Sequence, residues 1–196
     1  MEVLFIDCET GGADGVSPQC DYALVQLSAI IEIDGKEVDC IDLKMKPYGK
    51  RIVTPKALGI QGRTMEEVDG FDDPKGCFVR FKNFLARRPA SKQNRYIMAG
   101  YNADFDCRFI SEWFKDMSGG PYEYWNYMQF SPIDVLSILR IMRHYKMIDI
   151  PDTKLGTVCK FFEIEFNAHD SMSDIRATRQ LTNIIVEKIK AGIVPA

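Results

Sequence analysis

Val3-Leu4-Phe5-Ile6-Asp7-Cys8-Glu9-Thr10-Gly11 runs four apolar residues straight into a pair of acids two positions apart. A short unbroken apolar run suits a strand buried on both faces. Residues two apart on a strand project to the same face with Cα atoms about 6.5–7 Å apart, so Asp7 and Glu9 converge at the strand's C-terminal end. Two carboxylates on an otherwise apolar strand are costly unless something positive meets them. By itself Asp-x-Glu is a weak motif, because acids at strand ends are common.

Working outward, Ala23–Ile33 is rich in β-branched residues and is followed by Asp34-Gly35, a hairpin signal, and by Val38–Met45. Three adjacent strands are expected. Beyond Pro47 the chain turns irregular, and Thr64-Met65-Glu66-Glu67 has the spacing of a helix capping box. Phe78, Phe81, Phe84 and Leu85 recur at helical spacing. Tyr96–Ala99 then reads as a buried strand leading into a helix with Phe105, Phe109 and Phe114 on one side. Two further helices are expected over Ile133–Met147 and Lys154–Phe162, and a long final one from about Ser171 to Lys190. Strands first, then alternation, then helices make the class α/β, a mixed central sheet flanked by helices. With no internal repeat, low-complexity tract or linker, 1–196 reads as a single domain.

Composition narrows the function. With 196 residues, 46% hydrophobic and 27% charged, the chain has material for an ordinary core, which excludes global disorder. No apolar run of about 18 residues exists, and Glu2 stands where a signal peptide would carry a basic residue, so no membrane association and a cytoplasmic location are expected. Cys8, Cys20, Cys40, Cys77, Cys107 and Cys159 are widely scattered and the chain has two histidines, which excludes a standard zinc site and argues against a disulfide framework. The net charge of −3 argues against coating nucleic acid by bulk electrostatics, yet Leu43–Met65 and Pro74–Ala103 carry only basic charges. Between Gly119 and Phe130, Tyr122, Tyr124, Trp125 and Tyr127 bunch on a loop, where they either pack on the body or offer a candidate surface for bases or for a homodimer.

Further acids fall where ligands gather. Asp106, in Asn102-Ala103-Asp104-Phe105-Asp106, sits in the first turn after the buried strand, at the crevice beyond the strands' carboxyl ends. An N-terminal acid also favours the helix dipole. Asp174 aligns with Thr178, Leu181 and Ile185 on the inward face of the final helix, and His169 lies five residues earlier at its mouth. Asp7, Glu9, Asp106 and Asp174 together would place four negative charges in one pocket, which repulsion and burial forbid without cations. Oxygen-only ligation selects Mg²⁺ or Mn²⁺, and two such ions are the arrangement that serves phosphodiester cleavage.

These residues resemble the DnaQ-like 3′-to-5′ exonucleases of the DEDDh type, which have a ribonuclease H-like fold. Phe5–Gly11 is similar to the family's first motif, Asn102–Asp106 to its second and His169-x-x-x-x-Asp174 to its third. The likeness extends through Ala57–Gly62, Asp134-Val135-Leu136 and Lys154-Leu155. It implies that Asp7, Glu9, Asp106 and Asp174 ligate two Mg²⁺ or Mn²⁺ ions and that His169 is the general base. It further implies a single-stranded DNA or RNA 3′ end as substrate, a 5′-mononucleotide as product, and substrate contacts at Thr10, Gly11, Ile60, Gln61 and Asn102. Gln61 stands where many members carry His or Asn, and Arg63 where an apolar residue is usual. The rival is a catalytically silent nucleic-acid-binding module on the same fold.

Overall fold

A computed structural model describes residues 2–13, 21–87, 95–120, 122–165 and 167–192. The apolar opening forms β1 (Glu2–Thr10), followed by β2 (Leu24–Ile33) and β3 (Lys36–Lys44). Asp34 and Gly35 join the last two with φ of 48° and 80°, the left-handed pair that a two-residue hairpin turn requires. β4 (Ile97–Gly100) and β5 (Ile133–Asp134) complete a five-stranded sheet in the order β3-β2-β1-β4-β5. The β1–β2 and β2–β3 pairs are antiparallel and the β1–β4 and β4–β5 pairs parallel, so the sheet is mixed, as expected.

The helices are α1 (Pro55–Gln61), α2 (Met65–Asp69), α3 (Pro74–Leu85), α4 (Ala103–Ser118), α5 (Val135–His144), α6 (Leu155–Phe161) and α7 (Ser171–Lys190). The capping box is present: the Thr64 side chain accepts from the Glu67 backbone N–H while Glu67 accepts from the N–H of Thr64. One expectation is corrected. Ile133 and Asp134 are a fifth strand and not the start of a helix, because parallel pairing with Ala99 and Gly100 outweighs the helical spacing of the residues that follow.

Side-chain alternation along β1 separates two layers. Leu4, Ile6 and Cys8 face an aromatic core under α3 and α4, where Phe78 and Trp113 meet edge to face at 5.3 Å. Phe5 faces the other way and packs with Ile30, Ala99 and Ile175 of α7. Asp7 and Glu9 continue that second face, so the helix that covers Phe5 also runs up to the acids. Arg179 holds α7 in place by donating to Glu32 at 2.6 Å, and Arg176 pairs with Glu37 at 3.3 Å.

Four members of the basic runs are met by acids from elsewhere: Arg51 pairs with Asp116 at 2.5 Å, Arg80 with Asp72 at 2.5 Å, Lys82 with Glu123 and Arg87 with Asp39. Arg88 and Lys92, like Cys20, lie outside the described residues. The aromatic loop divides: Tyr124 is buried against Phe114, while Tyr122 and Phe130 are exposed and Phe130 stacks on Trp125 at 5.7 Å. Cys8, Cys40, Cys77, Cys107 and Cys159 are free thiols. Among the described residues no helix is long and apolar enough to cross a membrane.

Candidate active site

β1 and β4 run parallel, so their C-terminal ends open on the same side of the sheet, and the acids gather there. Carboxylate oxygens of Asp7, Glu9 and Asp174 all lie within 4.8 Å of one another. β1 supplies the first two by alternation; α7 supplies the third because Ile175, one residue on, is anchored in the Phe5 layer. Asp170 caps α7 by accepting from the Ser173 backbone N–H at 3.1 Å, which fixes the first turn that carries Asp174.

The fourth acid stands apart from this trio. Asp106 is buried in the first turn of α4, on the opposite side of β1, and hydrogen bonds from Cys8 hold its carboxyl. It is close enough to Asp7 for the two charges to repel. The cluster is electrostatically strained. Burial is the largest cause in every case, and neighbouring carboxylates add to it. Asp7 is pushed well above the usual carboxylate range, Glu9 up to about 7, Asp106 to about 8 and Asp174 to about 6. Asp174 Oδ1 is buried with no hydrogen-bond partner among the described residues. An oxygen-only set in this state fits Mg²⁺ or Mn²⁺, because a divalent cation both relieves the repulsion and occupies the orphaned oxygen.

His169 is brought to the cluster by its backbone. Its residue is exposed and left-handed at φ 67°, and its N–H donates to Asp174 Oδ2 at 3.3 Å. Asn102, at the mouth of α4, is also left-handed at φ 65° and its side chain makes no capping bond. Asp134 does that work instead. Its Oδ1 accepts from the backbone N–H of Asn102 at 2.8 Å and of Leu136 at 3.2 Å, so one carboxylate caps the starts of both α4 and α5. Sequence reasoning assigned Asp134 no such role. The signal was available, since Asp immediately before an apolar helical run is an N-cap pattern, but its second partner comes from another segment.

The RNase_T exonuclease family profile matches residues 4–182, the span that contains all of these groups. The chain belongs to the exonuclease family. Among relatives of this exonuclease-family chain, the DNA polymerase III PolC-type of Thermotoga petrophila is 28% identical over 185 residues, which are 94% of this chain and 12% of that protein. The 3′-5′ DNA exonuclease Cap18 of Escherichia coli is 23% identical over 167 residues, 84% of this chain and 82% of Cap18. The chain thus spans about an eighth of the PolC-type relative, 12% of its length, and most of Cap18. Exonuclease I of E. coli, solved in complex with a dT13 oligonucleotide, superposes with a TM-score of 0.77 at 20% identity over 97% of this chain and 42% of that one. Its zinc-bound single-stranded DNA complex gives 0.78 at 21% identity over 98% and 42%. The fold is therefore the ribonuclease H-like fold of these exonucleases.

Within the exonuclease-family chain, the two departures at Gln61 and Arg63 acquire structural partners. Gln61 Nε2 donates to the Thr10 carbonyl at 2.8 Å, tying α1 to the end of β1, while its Oε1 is buried without a partner among the described residues. Arg63 lies over the Phe71 ring at 5.5 Å, donates to Gln26 Oε1, and its charge offsets part of the upward shift at Glu9. Gln26 in turn donates to Asp42 at 2.9 Å, Ser28 donates to Asp42 at 2.8 Å, and the Ser28 and Ser171 hydroxyls are 2.6 Å apart. Gln26 and Ser28 stand opposite Glu9 and Asp7 in register, so this polar layer lies beside the acids and reaches the first residue of α7. Ile60 is exposed on α1 next to Gln61.

Thr10 and Gly11 are held by backbone packing. The Gly11 N–H donates to the Ala23 carbonyl at 2.7 Å, and its carbonyl accepts from the Thr54 N–H at 2.8 Å and hydroxyl at 3.0 Å. A Cβ at Gly11 would fall 2.1 Å from the Ile52 carbonyl oxygen, whereas one at Gly59 meets nothing within 4 Å. Gly11→Ala is therefore expected to lose about 3 kcal/mol, roughly 6–12 °C in Tm at this chain length. Gly59→Ala, in the interior of α1, is expected to be neutral or slightly stabilising. Thermal unfolding of both variants checks the pair, and equal melting points would remove the close-packing account.

Proposed function

We propose that this chain, as one exonuclease domain over 1–196, hydrolyses the terminal phosphodiester bond at the 3′ end of single-stranded DNA or RNA and releases 5′-mononucleotides. The observation that carries this reading is the three-carboxylate cluster in which Asp174 Oδ1 is buried and unpartnered among the described residues. Cap18 bears the name of a 3′-5′ DNA exonuclease and Exonuclease I was solved with single-stranded oligonucleotides, which supports the same substrate class here.

Two Mg²⁺ or Mn²⁺ ions held by Asp7, Glu9, Asp106 and Asp174 would neutralise the carboxylates and supply Lewis acidity at the scissile phosphate. Asp7 and Glu9 present their oxygens from a strand buried in the sheet, so the ligand set is rigid before substrate arrives. His169, exposed and tied to Asp174 through its backbone N–H, takes the proton of the attacking water at an imidazole nitrogen. Asn102, with its side chain uncommitted to a cap, is free to donate to the terminal sugar or phosphate. Thr10, Gly11, Gln61 and the exposed Ile60 form the wall against which the last nucleotide rests.

A 5′-labelled single strand incubated with Mg²⁺ or Mn²⁺ tests the reading. The expected result is a ladder shortening stepwise from the 3′ end, stopped by EDTA, with matched DNA and RNA strands identifying the preferred sugar. A strand that is bound but stays full length with both ions overturns it in favour of the silent binding module.

A further inference from the structure

A cavity of about 660 Å³ lies at the C-terminal end of α5, lined by Arg140, Arg143, His144, Lys146, Asp149 and Thr153. Three basic side chains meet in this lining. Arg51, Arg80, Arg87, Arg108, Arg176 and Arg179 are each paired with a carboxylate. No ion pair holds Arg140, Arg143 or Lys146 among the described residues. Basic residues at a helix C-terminus commonly just offset the dipole, but that end carries only about half a negative charge. Asp149 lies in the lining and the Asp152 carboxylate acts on Arg143 and is shared with Lys154, so the excess positive charge rests on Arg140 and Lys146.

Arg143 is fixed in the lining, its Nε and Nη2 donating to the carbonyls of Ile150 at 2.9 Å and Pro151 at 2.6 Å. Lys146 adopts φ 56°, a left-handed conformation that costs a non-glycine residue about 1–2 kcal/mol. That backbone places a lysine, and not the usual glycine or asparagine, just past the helix end. Arg140, Arg143, His144 and Lys146 are all exposed.

One hydrogen bond ties the cavity lining to the segment that follows β4. Tyr101, the residue between β4 and Asn102, donates its hydroxyl to the Thr153 carbonyl at 2.6 Å, and Thr153 lines the cavity. Tyr101 also feels the charge of Arg140. A strand whose 3′ end lies at Asp7 and Asp174 can leave past Asn102 and Tyr101 toward these cations.

We propose that Arg140 and Lys146, in the cavity framed by Arg143, form a second anion site that grips the phosphodiester backbone of the strand upstream of its 3′ end. The proposal rests on the exonuclease reading, and its test separates the two. The charge-reversed variant Arg140→Glu/Lys146→Glu is compared with the wild type in binding a labelled 20-nucleotide single strand in EDTA, where no cleavage competes. Arg140→Gln/Lys146→Gln serves as a milder second variant. Both sites are on the surface, and hydrolysis of thymidine 5′-(p-nitrophenyl phosphate) with Mn²⁺, a substrate too small to reach the cavity, reports the intact catalytic end.

Charge reversal is expected to weaken 20-mer binding about 10-fold or more and to flatten the salt dependence of log Kd by about 1.4, or 0.7 per lost phosphate contact. Neutralisation is expected to give a smaller loss in the same direction, and the small ester is expected to be hydrolysed at the wild-type rate. Unchanged 20-mer affinity and salt slope overturn the anion site while leaving the nuclease reading standing. Absence of hydrolysis of any substrate by the wild type overturns the nuclease reading, and the binding comparison still decides the cavity. Calorimetric binding of inorganic phosphate as tight as that of the 20-mer, and lost in Arg140→Glu/Lys146→Glu, also overturns the proposal, since it marks a small-anion pocket.

Discussion

Asp7→Asn is expected to lower the exonuclease rate by at least about 10³-fold, or ~4 kcal/mol of transition-state stabilisation, while making the metal-free protein more stable. Both effects follow from one fact. Asp7 is buried beside Asp106, Asp174 and Glu9, and all of them push its carboxyl well above the usual range. The isosteric amide keeps the shape, removes the buried charge and surrenders a ligand oxygen.

The pH dependence carries the sign of these shifts. A carboxyl whose folded pKa is raised binds its proton more tightly in the native state than in the unfolded chain. Stability therefore falls as pH rises from the unfolded value near 4. The fall levels off above the folded values, about 6 for Asp174, about 7 for Glu9 and about 8 for Asp106. In EDTA the wild-type Tm should decline between pH 5 and pH 8. Asp7→Asn should decline less and exceed wild type at pH 8 by about 1–2 kcal/mol, roughly 2–8 °C. Added Mg²⁺ should raise the wild-type Tm at pH 8 and that of the variant much less, because only an intact ligand set binds the ion to the folded state. Thermal scans at the two pH values, with and without Mg²⁺, check all of this. A variant less stable than wild type in EDTA at pH 8 would sink the repulsion account, and one with normal turnover would sink the ligand assignment.

His169→Ala is expected to cost about 10²- to 10⁴-fold in kcat and to leave binding of the strand and of Mg²⁺ close to wild type. The imidazole is proposed to move one proton, and residue 169 meets Asp174 through its backbone N–H, which any non-proline residue retains. The left-handed conformation at φ 67° adds a local cost for alanine, so His169→Asn, which tolerates that conformation better, is the cleaner companion. Both variants should show the same loss in single-turnover rate with an unaltered Kd for the strand. A loss confined to Kd would make His169 a substrate contact, and full turnover would remove it from the chemistry.

Local signals in the chain settled a good deal. The alternation along Val3–Glu9 put Asp7 and Glu9 on one face, the Asp34-Gly35 turn made the hairpin, Thr64–Glu67 made its capping box, and the helical spacing from Ser171 onward set the extent of α7. Each depends on a period or a cap spanning a few residues, so the chain determines it without knowledge of the rest. β5 escaped this reading, because two residues carry no period and only the neighbouring strand makes them one. The convergence of Asp174 with Asp7 and Glu9, the separate berth of Asp106 at Cys8, and the double cap at Asp134 were decided by how α4 and α7 pack on opposite faces of β1. So was the requirement for glycine at position 11, which comes from the Ile52 carbonyl of a distant segment, and so was the pairing of Arg51, Arg80, Arg87, Arg108, Arg176 and Arg179 with carboxylates, which among the described residues leaves Arg140 without an ion pair. Charge and steric demand between segments depend on distances in space, and those exist only once the layers have closed around β1.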